Sequence, residues 1–236
     1  CANLYYLGHV FDSEIWIPEA EAIAVQNWDE SLLSFQQLGQ ECPRFAHHAL
    51  LVPGNEITLG PYRWQILAAP GHDNHSIMLY QEQYQILISA DALWENGFGV
   101  VFPEIEGVSA FDEVESTLNI IESLNPQLVL PGHGSAFSDV SDAIDRARSR
   151  LDQFRNAPDK HASYAAKVLL KFKLLEFQQI KLADFLIWGH ATQYLKMLFE
   201  KYAEGKSFDA WFLDLCESLE KSGACTMDDE HIININ

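Results

Sequence analysis

The alternation of apolar and polar positions divides the chain into a strand-rich first half and a helix-rich second half. Residues 3–11 are apolar and aromatic and predict the end of a helix, and residues 14–17 predict a short strand. Pro18 then opens a helix through Ala24, with Glu19 and Glu21 in its first turn, where carboxylates suit the helix dipole. From Leu50 the period shortens. Residues 57–59 and 62–69 flank Gly60-Pro61 and predict a hairpin, and residues 76–80 and 84–89 flank Gln81-Glu82-Gln83 and predict another. Residues 111–124 predict a helix with Val114, Leu118 and Ile121 on one face, stopped by Asn125-Pro126. Leu128, Val129 and Leu130 then read as a buried strand. Residues 138–154 predict a further helix, in which Val140, Ile144, Ala147, Leu151 and Phe154 keep an alternating spacing of four and three.

Residues 155–159 read as a boundary, giving a first domain over 1–156 and a second over 157–236. Beyond it the pattern predicts three helices, at 162–177, 191–202 and 208–222, punctuated by Gly205 and Gly223. Val168, Leu169, Phe172 and Leu175 offer one apolar face; Leu195, Leu198 and Phe199 offer another. Residues 225–227 and 231–235 flank Asp228-Asp229-Glu230 and predict a terminal hairpin. Helices followed by a small hairpin resemble a winged-helix domain.

Composition supports a folded chain. Of 236 residues, 48% are apolar and 12% aromatic, enough for a core and too many for disorder. The net charge of -19 disfavours generic nucleic-acid binding, because a phosphate backbone would be repelled. Lys167, Lys171 and Lys173 cluster on one predicted helix, but no basic recognition helix accompanies them. The four cysteines, Cys1, Cys42, Cys216 and Cys225, lack C-x-x-C spacing and read as free thiols in a reducing, cytoplasmic setting. No stretch reaches the roughly 18 apolar residues of a membrane span, so no membrane partner is expected.

Three short segments bear the chemistry: Pro70-Gly71-His72, Ser89-Ala90-Asp91-Ala92-Leu93-Trp94 and Pro131-Gly132-His133-Gly134. Each places one metal-ligand side chain just beyond an apolar strand. A lone Pro-Gly-His is only a turn, but two of them flanking a strand-end aspartate form a constellation. Two imidazoles and a carboxylate are donor types that a hydrolytic metal site uses. The bland readings are a solvated turn for either histidine and a helix N-cap for Asp91. Asn74 and His75 share the loop of His72 and are expected to hydrogen-bond around it or to contact substrate. His9 is expected to be structural, His47-His48 a loop or strand-edge pair, and His161, His190 and His231 surface or interface residues.

On these segments, the first extended to Pro70-Gly71-His72-Asp73-Asn74-His75-Ser76, the chain resembles the metallo-β-lactamase-fold hydrolases, the superfamily that includes glyoxalase II-like thioesterases. The resemblance covers roughly residues 1–155 and implies an α+β fold, an αββα sandwich, here followed by the small winged-helix-like domain. It implies that His72 binds one metal, that Asp91 bridges two, and that His133 binds the second. Two zinc ions are expected, with iron as the alternative. The family signature His-x-His-x-Asp-His is absent, since no two of the nine histidines are separated by a single residue. The chain opens at Cys1, its first methionine is Met78, and Cys1 to Leu4 looks like the segment that follows the signature. The sandwich is therefore expected to lack its first strands and metal motif, either as a fragment or processed chain cut there or as a divergent member.

The implied activity is metal-dependent hydrolysis of an ester, thioester or related carbonyl in a small-molecule substrate by metal-bound hydroxide, weak in a chain with so few ligands. Two readings compete with it: a non-catalytic binding protein on the same fold, and an iron-dependent persulfide dioxygenase. Specificity is expected from residues 95–109. The second domain is expected to pack on the first, wall a cleft or form a homodimer rather than read DNA.

Overall fold

The computed structural model describes residues 2–106 and 110–235. Contacts divide the chain into two units. The first holds residues 1–28 and 43–156, and the second holds residues 29–42 and 157–236. The division is thus not contiguous, because a short segment of the first half folds with the second.

In the first unit, α1 (Ala2–Phe11) leads to β1 (Trp16–Pro18), a 3-10 turn (Glu19–Glu21) and α2 (Ala22–Asn27). β1 pairs in parallel with β2 (Ala49–Leu51). His48 extends that ladder: its Nδ1 accepts from the Ile15 amide at 2.9 Å, and its own amide donates to the Ile15 carbonyl at 2.8 Å. This strand-edge use of His48 is structural.

A five-stranded sheet follows: β3 (Glu56–Leu59), β4 (Tyr62–Ala68), β5 (Ile77–Gln81), β6 (Ile86–Ala90) and β7 (Leu128–Pro131), hydrogen-bonded in that order. β3 to β6 form the two expected hairpins, and β7 returns parallel to β6 after α4 (Pro103–Glu106) and α5 (Ala110–Leu124). α6 (Val140–Asn156) closes the unit. The predicted stripes are buried: Val114, Leu118 and Ile121 of α5 and Val140, Ile144, Ala147 and Leu151 of α6 pack with Met78, Tyr80, Leu87 and Val129 of the sheet. Each such side chain contributes about 1.5–3 kcal/mol when fully buried, which anchors the strand ends that bear the site.

The second unit contains α3 (Phe35–Leu38), α7 (Pro158–Phe177), β8 (Gln179–Lys181), α8 (Leu182–Ala191), α9 (Gln193–Tyr202), α10 (Phe208–Lys221), β9 (Cys225–Met227) and β10 (His231–Asn234). Its sheet order is β8-β10-β9, all antiparallel, with the expected terminal hairpin forming two of the strands. Helix, strand, helices and hairpin in this order make the unit winged-helix-like.

Several expectations for this unit need correction. Gln178, at φ 62°, ends α7, and the next three residues form β8, an edge strand too short to show alternation. α8 was not foreseen; Thr192 ends it, donating its Oγ1 hydroxyl to the Trp188 carbonyl at 2.9 Å, and starts α9. The apolar face of α7 is rotated: Ala162, Ala165, Ala166, Leu169, Leu170 and Leu174 are buried, whereas Phe172 and Leu175 are exposed. Small alanines pack closest and so define the face. His161 is buried, not a surface residue. Gly189 must be glycine, since a Cβ there would lie 2.5 Å from the Phe212 ring.

Cys42, Cys216 and Cys225 are free thiols, and Cys1 lies outside the described residues. Burial pushes the Cys216 thiol up to about 12. Among the described residues, no helix is long and apolar enough to cross a membrane.

Candidate metal centre

His72 is delivered by the end of β4. The Ala69 amide donates to the Ser76 carbonyl at 2.8 Å, which closes the loop, and the Thr117 hydroxyl of α5 donates to the Pro70 carbonyl at 2.8 Å. Gly71, at φ +134°, lets this loop press on α5; a Cβ there would lie 2.6 Å from the Val114 side chain. Only glycine combines that backbone with that approach.

Asp91 follows β6 through an irregularity. The β6–β7 register shifts between Ile88 and Ala90, and Ala90 sits at φ 47°. Such a bulge re-aims the next side chain. The loop is then tied to itself: Ser89 Oγ donates to the Leu93 carbonyl at 2.7 Å, and the Gly99 amide donates to the Asp91 carbonyl at 2.7 Å. His133 follows β7, where the Gly132 amide donates to the Ala90 carbonyl at 2.7 Å.

These three elements bring His72, Asp91 and His133 together. His72 Nε2 lies 3.5 Å from Asp91 Oδ2, and His133 Nδ1 lies 2.8 Å from Asp91 Oδ1. The two imidazoles therefore face opposite oxygens of one carboxylate. His72 Nδ1 is 2.5 Å from the Val100 carbonyl. A carbonyl only accepts, so Nδ1 bears a proton, and in the neutral imidazole Nε2 keeps its lone pair.

Asp91 is held on several sides. Trp94 Nε1 donates to Oδ1 at 2.9 Å, so with His133 that oxygen already has two neighbours. A Cβ on Gly132 would stand 2.6 Å from Oδ1, and one on Gly99 would stand 2.8 Å from the Asp91 Cβ and 2.9 Å from the His72 ring. Both glycines form a cradle that no larger residue could complete.

The residues fit a divalent cation on the Oδ2 side. Donors roughly 2.0–2.2 Å from a tetrahedral zinc ion stand about 3.4 Å apart, close to the observed His72–Asp91 spacing of 3.5 Å. On the Oδ1 side, His133 must first give up its hydrogen bond. The donor set on hand is thus one open pair and one hydrogen-bonded pair.

The remaining expected residues behave differently. His75 pairs its Nδ1 with Glu21 and is exposed, and its amide donates to Asp73 Oδ1 at 2.7 Å. Asn74 is exposed on the same loop. Glu21, Asp73 and His75 each offer one donor atom, all within 4.8 Å of one another. Sequence reasoning missed Glu21 and Asp73 as donors, and Trp94, Gly99 and Val100 as supports. Asp73 follows His72 directly and Trp94 lies three residues after Asp91, while Gly99 and Val100 fall in the expected specificity stretch 95–109, but no local pattern marked any of them as a donor or support. Of the expected specificity loop, Phe98, Val100, Val101 and Phe102 are buried, and residues 107–109 lie outside the described residues.

Comparison with known proteins bears on the family and the fold. The family model described as the Metallo-beta-lactamase superfamily matches residues 2–133, more than half of the chain. A curated protein called probable metallo-hydrolase YqjP, from Bacillus subtilis, is 28% identical over 116 residues, or 44% of this chain. That match spans 36% of the relative's length. A metallo-beta-lactamase from Cronobacter sakazakii aligns at TM-score 0.53 and 9% identity, covering 66% of this chain and 70% of that one. The metallo-beta-lactamase GOB-18 from Elizabethkingia meningoseptica aligns at TM-score 0.50 and 14% identity, covering 67% of each. At such identities the structural likeness is one of fold.

Proposed function

The chain belongs to the metallo-beta-lactamase superfamily, and from that premise we propose that it is a metal-dependent hydrolase acting on an ester, thioester or related carbonyl of a small molecule. The observation that supports this most is the open donor pair, His72 Nε2 and Asp91 Oδ2 at 3.5 Å, fixed by backbone contacts on both residues. The chemistry a zinc or iron ion supplies when bound here is Lewis acidity, which acidifies water and polarises a carbonyl. The chain's own part is to orient donors. Val100 fixes the His72 tautomer, Trp94 steadies the Asp91 carboxylate, and the cradle glycines let both approach. His133 is the second imidazole, and we place it on the ion that Asp91 would share. Three donors are few for two ions, so this chain binds metal weakly and turns over slowly. Asn74 and His75 are assigned to the substrate-side loop.

The second reading, a non-catalytic binding protein, is supported by Asp91 Oδ1 being engaged already by Trp94 and His133. A panel of chromogenic esters, thioesters and β-lactams, assayed with zinc and with iron, tests both. Turnover lost in Asp91→Asn supports the hydrolase; turnover with none of the panel under either metal supports the binding protein.

We further propose that nucleic acid is not the substrate. Three of the four lysines of α7 are engaged within their own unit: Lys167 with Ser218 Oγ at 3.2 Å, Lys171 with the Ala224 carbonyl at 2.8 Å, and Lys173 with Glu176 at 2.9 Å. Free thiols support a reducing, cytoplasmic setting.

A further inference from the structure

The second unit contains an open basin of about 620 Å³ that the hydrolase reading does not use. Lys173, Phe177, Lys181, Asp184, Trp188 and His231 line it. Lys173 is the unusual member, an ammonium-bearing side chain with 7% of its surface exposed. Its Nζ donates to Glu176 Oε2 at 2.9 Å and lies 4.8 Å from the centre of the Phe177 ring and 5.8 Å from that of Trp188. An ammonium has three N–H donors. One carboxylate oxygen satisfies one of them, and the two aromatic faces attract the charge without accepting a full hydrogen bond. Two donors of a buried cation therefore remain for whatever occupies the basin.

The rim adds a second ammonium, Lys181, and an imidazole, His231. Lys181 of β8 and His231 of β10 are paired directly across the ladder, so their side chains emerge on one face within a few ångströms of each other. α8 begins at this point, with no side-chain cap at Lys181, and its positive end adds to them. Asp184 is the one acidic lining residue, and it is exposed. In a chain of net charge -19, two lysines meet here beside an apolar wall, half of Phe177 being exposed at 49%, with Glu176 on Lys173 and Asp228 Oδ1 3.7 Å from His231 Nδ1 as their acidic neighbours.

We propose that this basin is a second ligand site, which binds a small organic oxyanion, a carboxylate or phosphate attached to a flat apolar group. Lys173 is the charge partner at the floor, Lys181 attracts the anion at the rim, where His231 offers a ring N–H, and Phe177 receives the apolar part. The hydrolase reading is independent of this site, since none of His72, Asp91 and His133 lines it.

The test uses the whole metal-free chain and three probes that share a ring: benzoate, phenyl phosphate and benzamidine. Amide NMR shifts are followed during titration. At least one anion should shift residues of β8, α8 and β10 saturably, with a dissociation constant of millimolar or tighter, and the tighter anion identifies the headgroup. Benzamidine, a cation, should not. Lys173→Met should weaken anion binding at least about tenfold. Should that variant fail to fold, Lys181→Gln and Phe177→Ala at the exposed rim should each weaken it about threefold or more. No saturable shift by either anion up to about 10 mM, equal binding of benzamidine, or unchanged affinity in the folded variants would overturn the proposal.

Discussion

Two sets of candidate metal donors draw on one loop of the first unit, and they differ in kind. Glu21, Asp73 and His75 lie closer together, all donor atoms within 4.8 Å, yet Asp73 and His75 are exposed. His72, Asp91 and His133 are spread over both oxygens of a carboxylate, yet each is delivered by a strand end. Asp91 and His72 are further fixed by the Val100 carbonyl, the Trp94 indole and two glycines. Proximity of donors on a surface costs little to arrange and is common. Supporting contacts that dictate tautomer and orientation are what make donors competent.

The comparison breaks most sharply at Asp91. Asp91→Asn keeps the shape and removes the charge, and zinc affinity should fall by about 100-fold or more in a chelator competition assay. An unchanged affinity would mean that the metal sits elsewhere. Gly132→Ala tests the cradle without touching a donor. Its Cβ would stand 2.6 Å from Asp91 Oδ1, so affinity should fall about 10- to 100-fold, with a loss of stability of about 1–3 kcal/mol by denaturant titration.

How far this contrast was legible beforehand depends on range along the chain. His72, Asp91 and His133 could be picked out because each follows an apolar strand and a local turn. The hairpins and the α5 and α6 stripes were legible for the same reason, their period being short and repeated. The contacts that support the donors were not. Trp94 binds Asp91 through a loop closed by the Trp94 amide and the Gly97 carbonyl, and Val100 meets His72 across 28 residues. Glu21 and His75 are 54 apart. In the second unit, β8 is three residues long and exists because β10 pairs with it. Local pattern does not encode a partner so distant.

Smaller effects sharpen the picture. Trp94→Phe removes one N–H from Asp91 Oδ1 while keeping an aromatic ring, and should weaken zinc binding about tenfold in the same competition assay. Glu21→Gln, in the closer set, whose side-chain contacts here run among its own members, should change it by less than about twofold. A larger loss in Glu21→Gln than in Trp94→Phe would reverse the ranking of the two sets.

The most direct measurement is a cobalt(II) titration of the chain, followed by visible absorption, in parallel with Asp91→Asn and Glu21→Gln. The account predicts a weak, saturable d–d band that vanishes in Asp91→Asn and persists in Glu21→Gln. A band that survives loss of the Asp91 charge and disappears with Glu21, or two tight sites per chain, would contradict it.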